Sequence, residues 1–232
     1  MKLSIIIPSY NNSQRLVALL KEIKKIKVPQ VEKEIIIIND ASPDVSYERI
    51  KKMKGIIYLF HKKNTGKGGA LRTGFKKATG DILFIQDDDL EYSCDNIPIL
   101  LEPILNNSSE VVYGSRRLNK KNKYSSQTYF LGGVFINTLF RIILRRNLTD
   151  SITGAKVMTR NVYNKIKPIK TDGFEIEAEL TAKIVGAGFG IKEVAITYLP
   201  RSHKEGKNIR WHHAFKIIKT IWIYSRKKRK SE

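Results

Sequence analysis

Asp87, Asp88 and Asp89 stand in a row after the apolar run Ile82-Leu-Phe-Ile85, with Glu91 two residues further on. On extended backbone alternate residues share a face, so Asp87 and Asp89 point the same way. Two carboxylates on one edge offer the hard oxygen ligands that Mg²⁺ or Mn²⁺ accepts, with substrate phosphates completing the shell. Carboxylates packed this closely repel one another unless a cation joins them. The acids therefore read as a site for a divalent metal and a diphosphate, with Asp87 and Asp89 as ligands and Glu91 as a further one. The chain around them is strongly basic, with a formal net charge of +21.

Other residues could meet a phosphate. Guanidinium groups match phosphate oxygens in bidentate fashion, which makes Arg116, Arg117 and Arg201 candidate clamps. Gly66-Lys-Gly-Gly69 is not a dinucleotide fingerprint, because the third glycine would fall at Leu71. Nor is it a Walker loop, since Lys67 is followed by Gly68. It is either a plain turn or a means of bringing backbone and Lys67 near a phosphate. The histidines, His61, His203, His212 and His213, form neither a metal-spaced set nor a triad, and no G-x-S-x-G elbow is present. Hydrolase chemistry is disfavoured. The single cysteine, Cys94, excludes an internal disulfide and a cysteine metal cluster.

The elements that must position these residues are legible from the apolar runs. Residues 3–7 are a continuous apolar stretch suited to a buried parallel strand, broken by Pro8-Ser-Tyr-Asn-Asn12. Ser13 can cap a helix whose stripe is Leu16, Val17, Leu19, Leu20 and Ile23. A second strand, 34–38, ends at Asn39-Asp40. A short helix over 47–54, a third strand over 56–60, a loop over 64–69 and a helix over about 70–78 lead into the fourth strand. This β-loop-α alternation predicts an α/β fold, a mainly parallel sheet with helices on both faces. The site of such a sheet lies at the carboxyl ends of its strands, so Pro8 to Tyr10, Asn39-Asp40 and Asp87 to Asp89 should converge on one crevice.

The second half is less regular. A helix is expected over 98–105, a strand over 111–113 ending in Gly114-Ser-Arg-Arg117, a helix opening within 171–179, and a strand over 190–198. Residues 129–144 are apolar but too short and interrupted to span a bilayer; they form either a buried helix or one that touches a membrane. In 210–224, Trp211, Phe215, Ile218 and Trp222 fall on helical spacing, and Arg226-Lys-Lys-Arg-Lys230 follows. Aromatic residues beside a basic cluster suit an interfacial helix, the alternative being a helix packed on the domain with a solvated tail. Residues 1–208 thus read as the catalytic domain and 209–232 as a basic amphipathic tail. The start has too short an apolar run for a signal peptide, which points to the cytosol.

Net charge of this size calls for an anionic partner: nucleic acid, an anionic membrane face or a phosphorylated substrate. Strand-end acids would repel nucleic acid, and no recognition motif is present. A nucleotidyltransferase is disfavoured because no glycine-rich loop follows the first strand.

Ile5-Ile-Ile-Pro-Ser-Tyr-Asn11, Ile37-Ile-Asn-Asp-Ala-Ser-Pro-Asp44, Asn64-Thr-Gly-Lys-Gly68, Ile85-Gln-Asp-Asp-Asp-Leu-Glu91 and Val112-Tyr-Gly-Ser-Arg116 occur in the order seen in inverting family-two glycosyltransferases of GT-A (Rossmann-like) fold. Asp172-Gly-Phe-Glu-Ile-Glu177 and the stretch from Glu193 to Lys207 resemble the dolichol-phosphate mannose synthase and polyprenyl-phosphate glucosyltransferase branch. The resemblance covers nearly the whole chain. It implies that Pro8, Tyr10 and Asp40 hold the nucleotide, with Asn12 and Lys67 beside them. Asp87 and Asp89, with Glu91, would hold Mg²⁺ or Mn²⁺ and the donor diphosphate, with Asp88 among the donor-binding residues. Arg116 and Arg117 would meet the lipid phosphate, and Arg201 and Lys207 would close over the diphosphate. Asn12 stands where the family usually has glutamate, Asn39 where an acid is common, and Asp88 where a small residue is usual. GDP-mannose, UDP-glucose and UDP-N-acetylhexosamine remain open as donors. The implied enzyme works at the anionic cytosolic membrane face, with or without a membrane subunit. A rival transferase acting on a polysaccharide or protein hydroxyl would need a general base, for which Asp172, Glu175 and Glu177 are available.

Overall fold

The computed structural model describes residues 1–44, 47–123, 127–201 and 212–228. Lys207, His203, Trp211 and the final basic residues Arg229 and Lys230 lie outside them. Strands β1 (Lys2–Ser9), β2 (Glu32–Asn39), β3 (Ile56–Phe60) and β4 (Ile82–Ile85) pair in parallel. With β5 (Val111–Ser115), β6 (Lys156–Thr159) and β7 (Lys192–Ala195) they make one seven-stranded sheet in the order β3-β2-β1-β4-β6-β5-β7. Only β6 runs against its neighbours, β4 and β5.

Successive strand residues point to opposite faces, and both faces are covered, which explains the unbroken apolar runs. On one face Leu3, Ile5 and Ile7 pack against Leu16, Leu19, Leu20 and Ile23 of α1 (Ser13–Lys25) and against α4 (Asn96–Leu105). On the other, Ile6, Ile36 and Ile38 meet Leu71 and Phe75 of α3 (Gly66–Lys77) and Ile176, Leu180 and Ile184 of α7 (Ile176–Gly186). A third core joins Ile136 and Phe140 of α5 (Gln127–Leu144), Ala178 of α7, and Ile217 and Ile221 of α8 (His212–Lys228). The tail helix is therefore fastened to the domain by one face. Short helices α2 (Tyr47–Lys51) and α6 (Arg160–Ile166) complete the layers.

The expected mainly parallel sheet is present, with differences that bear on the site. Helix α3 begins at Gly66, so Lys67 lies in its first turn rather than in a loop. Helix α7 begins only at Ile176, leaving 171–173 as a loop. Strand β6 and helix α6 escape the sequence reading, because four residues led by a lysine carry no strand signature. No described helix is long and apolar enough to cross a membrane.

Candidate active site

The ends of β1 and β4 meet through Asp88. Ser9 Oγ donates to its carboxylate, and Asn12 Nδ2 donates to its carbonyl at 2.9 Å. The Ser9 hydroxyl also lies 2.7 Å from the Tyr47 hydroxyl of α2. Burial pushes the Asp88 carboxyl up to about 6, against the pull of the bonds from Ser9 and Asn12. The middle acid of the row thus fastens the β4 loop to the β1 loop, while Asp87 and Asp89 occupy its flanks. Asn12, expected beside the nucleotide, is part of the same fastening.

Asp87 lies 2.6 Å from Lys67 Nζ and presses against Gly154, where an added Cβ would collide with its carboxylate. Asp89 accepts from the Glu91 amide at 3.0 Å and lies 2.7 Å from Arg201 Nη2. Burial, with the adjacent charges of Asp87 and Glu91, pushes the Asp89 carboxyl up to about 7. Glu91, expected as a metal ligand, instead faces the 198–201 segment. It accepts from the Tyr198 hydroxyl at 2.5 Å, the Arg201 amide at 3.0 Å and Arg201 Nε at 3.2 Å. Among the described residues no three His, Cys, Asp or Glu side chains converge as a protein-only metal cage. Asp87 and Asp89, each now paired with a basic side chain, are the carboxylates that would be offered to a divalent ion taking its remaining oxygens from a diphosphate, the usual manner of Mg²⁺.

The glycine run joins α3 to its neighbours. Asp40 is buried and caps α3: its carboxylate accepts from the Thr65 amide at 2.9 Å and the Gly66 amide at 2.7 Å, and it pairs with His61 Nδ1 at 2.7 Å. This places it under the first turn of the helix, where the Thr65 and Gly66 amides engage its carboxylate. Gly68 and Gly69 amides donate to the Asp172 carbonyl at 2.6 and 3.2 Å. Two of the first-turn N–H groups that a phosphate could use are therefore engaged by the 170–172 loop. A Cβ at Gly68 would collide with that loop's backbone. Glu179, fully buried, holds the loop from beneath through the Lys170 and Thr171 amides.

This seam brings Lys67 to Glu177, 2.7 Å away, and Glu177 to Lys156 Nζ, 2.5 Å away. Asp87, Lys67, Glu177 and Lys156 form a chain of alternating charge. Burial works against the Lys67 charge, but Asp87 and then Glu177 raise its pKa. Burial also works against the Glu177 carboxylate, yet Lys156 and Lys67 lower its pKa. At Lys156 burial prevails and lowers the pKa, with the ammonium 4.7 Å from the centre of the Tyr113 ring. Sequence reading missed Lys156. Its one signal was a lysine inside the otherwise apolar Ala155-Lys-Val-Met158.

The paired arginines part company. Arg116 is paired with buried Asp150, with Nε 2.6 Å from Oδ2 and Nη2 2.7 Å from Oδ1. Arg117 donates to the Phe130 carbonyl at 3.0 Å and lies 4.8 Å from the centre of the Phe130 ring on α5. Pro8 is buried within β1, and Tyr10 is exposed just beyond its end.

The family model described as "Glycosyl transferase family 2" matches residues 4–167. "Dolichol-phosphate mannosyltransferase" of Pyrococcus furiosus is 29% identical over 217 residues, which cover 89% of this chain but 59% of that protein. "UDP-N-acetylglucosamine--dolichyl-phosphate N-acetylglucosaminyltransferase" of Methanococcus voltae is 26% identical over 228 residues, covering 88% of this chain and 89% of that protein. Among solved structures, glucosyl-3-phosphoglycerate synthase from Mycobacterium tuberculosis, in complex with Mn²⁺, UDP and phosphoglyceric acid, superposes with a TM-score of 0.73 at 17% identity. That match covers 97% of this chain and 78% of the other.

Proposed function

The chain belongs to glycosyl transferase family 2 and has the GT-A fold, and on that footing we propose that it moves a sugar from a nucleoside diphosphate sugar to a polyprenyl phosphate. It is a glycosyltransferase; the acceptor class follows the names of its relatives. The observation that carries the reading is the Asp89–Arg201 pair at the end of β4, 2.7 Å apart. It sets an acid that can share a metal–diphosphate beside a cation that can meet the departing charge.

Asp87 and Asp89 would hold Mg²⁺ or Mn²⁺, which when bound acts as a Lewis acid on the leaving diphosphate. Arg201 is charged, its pKa raised by Asp89 and Glu91 against the opposing effect of burial. Anchored through Glu91, it brings a guanidinium to the diphosphate, and Lys207 would add to it. Arg117 contacts the neutral carbonyl and ring of Phe130, which leaves its charge for the acceptor phosphate. That phosphate, with a second pKa near ~6, is already an anion at neutral pH and needs no general base. Direct attack inverts the anomeric centre.

The hydroxyl-acceptor alternative gains little from two of the three acids it requires: Glu177 is neutralised between two lysines and Asp172 is paired with Arg72. Glu175 accepts from the Gly173 amide at 3.3 Å through Oε1 and keeps a buried Oε2 without a hydrogen-bond partner among the described residues.

Leu131, Phe135 and Ile142 of α5, and Phe215 and Trp222 of α8, are exposed. Exposed Arg141, Arg145, Arg146, Lys216 and Lys219 stand among them. Apolar and aromatic surface with interspersed cations suits an anionic membrane face, where the lipid acceptor lies. In this reading α5 and the 209–232 tail dock the 1–208 catalytic part peripherally on the cytosolic leaflet.

The test is transfer of label from a panel of nucleotide sugars into an organic-extractable polyprenyl product, with Mn²⁺ or Mg²⁺. Metal-dependent product that Asp89→Ala abolishes is the expected result, and the panel names the donor. Donor binding or slow donor hydrolysis without lipid product would overturn the acceptor assignment.

A further inference from the structure

Lys67 is pinned between two acids of different standing. Asp87, 2.6 Å from its ammonium, is a metal-motif residue; Glu177, 2.7 Å away, lies outside the motif on α7. Glu177 in turn holds buried Lys156, whose ammonium also donates to the Thr153 carbonyl. A lone buried carboxylate would suffice to keep Lys67 in place. The presence of a second, pre-neutralised acid on its far side needs another reason.

We propose that Lys67 is a resident counter-ion of the metal motif, exchanged between Asp87 and Glu177. Without a divalent ion it neutralises Asp87. When Mg²⁺ or Mn²⁺ takes Asp87, Lys67 gives up that contact and retreats to Glu177. Lys156 sets the balance: by sharing Glu177 it keeps that acid from capturing Lys67 outright. Lys67 and Glu177 are thus positioning residues that tune metal affinity through Asp87. The geometry supports this in two further ways. Gly154 lies against Asp87 and makes room for it, since a Cβ there would collide with the carboxylate where it meets Lys67. The α3–α7 seam, made by the Gly68 and Gly69 amides on the Asp172 carbonyl, fixes the backbone carrying Lys67. Only the side chain is left to move.

The inference rests on the metal reading of Asp87 and Asp89, and direct Mn²⁺ binding to the full chain separates the two. Titration by electron paramagnetic resonance, without nucleotide, reads free Mn²⁺ and needs no turnover. Lys67→Met removes the competing cation, and Mn²⁺ should bind roughly tenfold more tightly. The double variant Glu177→Gln/Lys156→Met leaves the net charge unchanged and replaces a buried pair by neutral groups of similar size, which proteins tolerate. Lys67 is then committed to Asp87 alone, and Mn²⁺ should bind about tenfold more weakly. Circular dichroism verifies that each variant is folded. If the double variant does not fold, Lys67→Met alone decides: unchanged or weaker binding overturns the exchange. Parent-like affinity in the folded double variant overturns it as well. If the unaltered chain binds no Mn²⁺, the metal reading fails instead.

Discussion

Asn12 and Asp88 touch across the crevice, the Asn12 Nδ2 donating to the Asp88 carbonyl at 2.9 Å. Both depart from the pattern that the chain otherwise resembles, in which position 12 is usually glutamate and position 88 small. That carbonyl is main chain, but the Asn12 side chain also helps to hold down the pKa of the buried Asp88 carboxyl, so a glutamate at 12 would lose the amide donor and set a second acid beside it. Asn12→Glu should therefore destabilise the protein by about 2 kcal/mol through like-charge crowding, and adding Asp88→Ala should recover most of the loss. Urea unfolding of the parent, the two single variants and the double variant measures the coupling. Additive effects would mean that the two positions vary independently.

Arg116, expected at the acceptor phosphate, is paired within the protein. Its guanidinium makes the bidentate contact expected of it, but with Asp150 rather than a lipid phosphate. Removing one member leaves the other charge without its partner in a largely buried setting. Asp150→Ala should cost about 3 kcal/mol of stability. Arg116→Lys, which cannot reproduce the planar fork, should also lower the denaturation midpoint. Thermal melts test this directly. Unchanged melting in both variants would return Arg116 to the list of free phosphate ligands.

Much of the fold was legible because it is written in local pattern. Unbroken apolar runs at 3–7 and 34–38 require burial on both faces, and polar residues at each run's end mark the crevice. Position along the chain brought Ser9, Asn39 and Asp87 to Asp89 to one edge of the sheet. Partnership was illegible, because it depends on which distant side chain arrives. Asp40 sits at the correct strand end, yet the Thr65 and Gly66 amides claim it. Glu91 sits in the correct motif, yet Tyr198 and Arg201, more than a hundred residues later, claim it. Lys156 was invisible because its burial is tolerable only beside Glu177, which lies on another element.

Glu34 gives the stability a defined acid limb. Burial works to raise its pKa, but hydrogen bonds from Lys2, Ser4 and Thr79 overcome this and hold it at about 2. Its folded value is below the unfolded one, so its contribution is complete above about pH 4.5 and is lost as pH falls toward 2. The contribution is up to roughly 3 kcal/mol, the product of that shift and the energy of one pKa unit. Urea midpoints measured from pH 6 to pH 2.5 should fall steeply below 4.5 in the parent. In Glu34→Gln they should start lower and fall less. Equal slopes would show that other carboxylates dominate acid unfolding.

The exposed face of α5 separates two accounts of the same helix. Ile136 and Phe140 fasten it to α7 and α8, while Leu131 and Phe135 are 63% and 56% exposed. If that outer face were merely tolerated surface, polar substitution there would change neither stability nor location. If it docks on lipid, each side chain contributes about 1.5–3 kcal/mol when it leaves water. Leu131→Ser/Phe135→Ser should then leave the melting temperature unchanged and reduce cosedimentation with anionic vesicles at least tenfold, taking about 1.4 kcal/mol as a factor of ten. The exposed basic residues add an electrostatic share, so binding of the parent should also weaken as salt rises. Because the substituted positions are neutral, the salt dependence should persist in the double variant at its lower affinity. Binding that ignores the apolar substitutions and vanishes in salt would assign docking to charge alone.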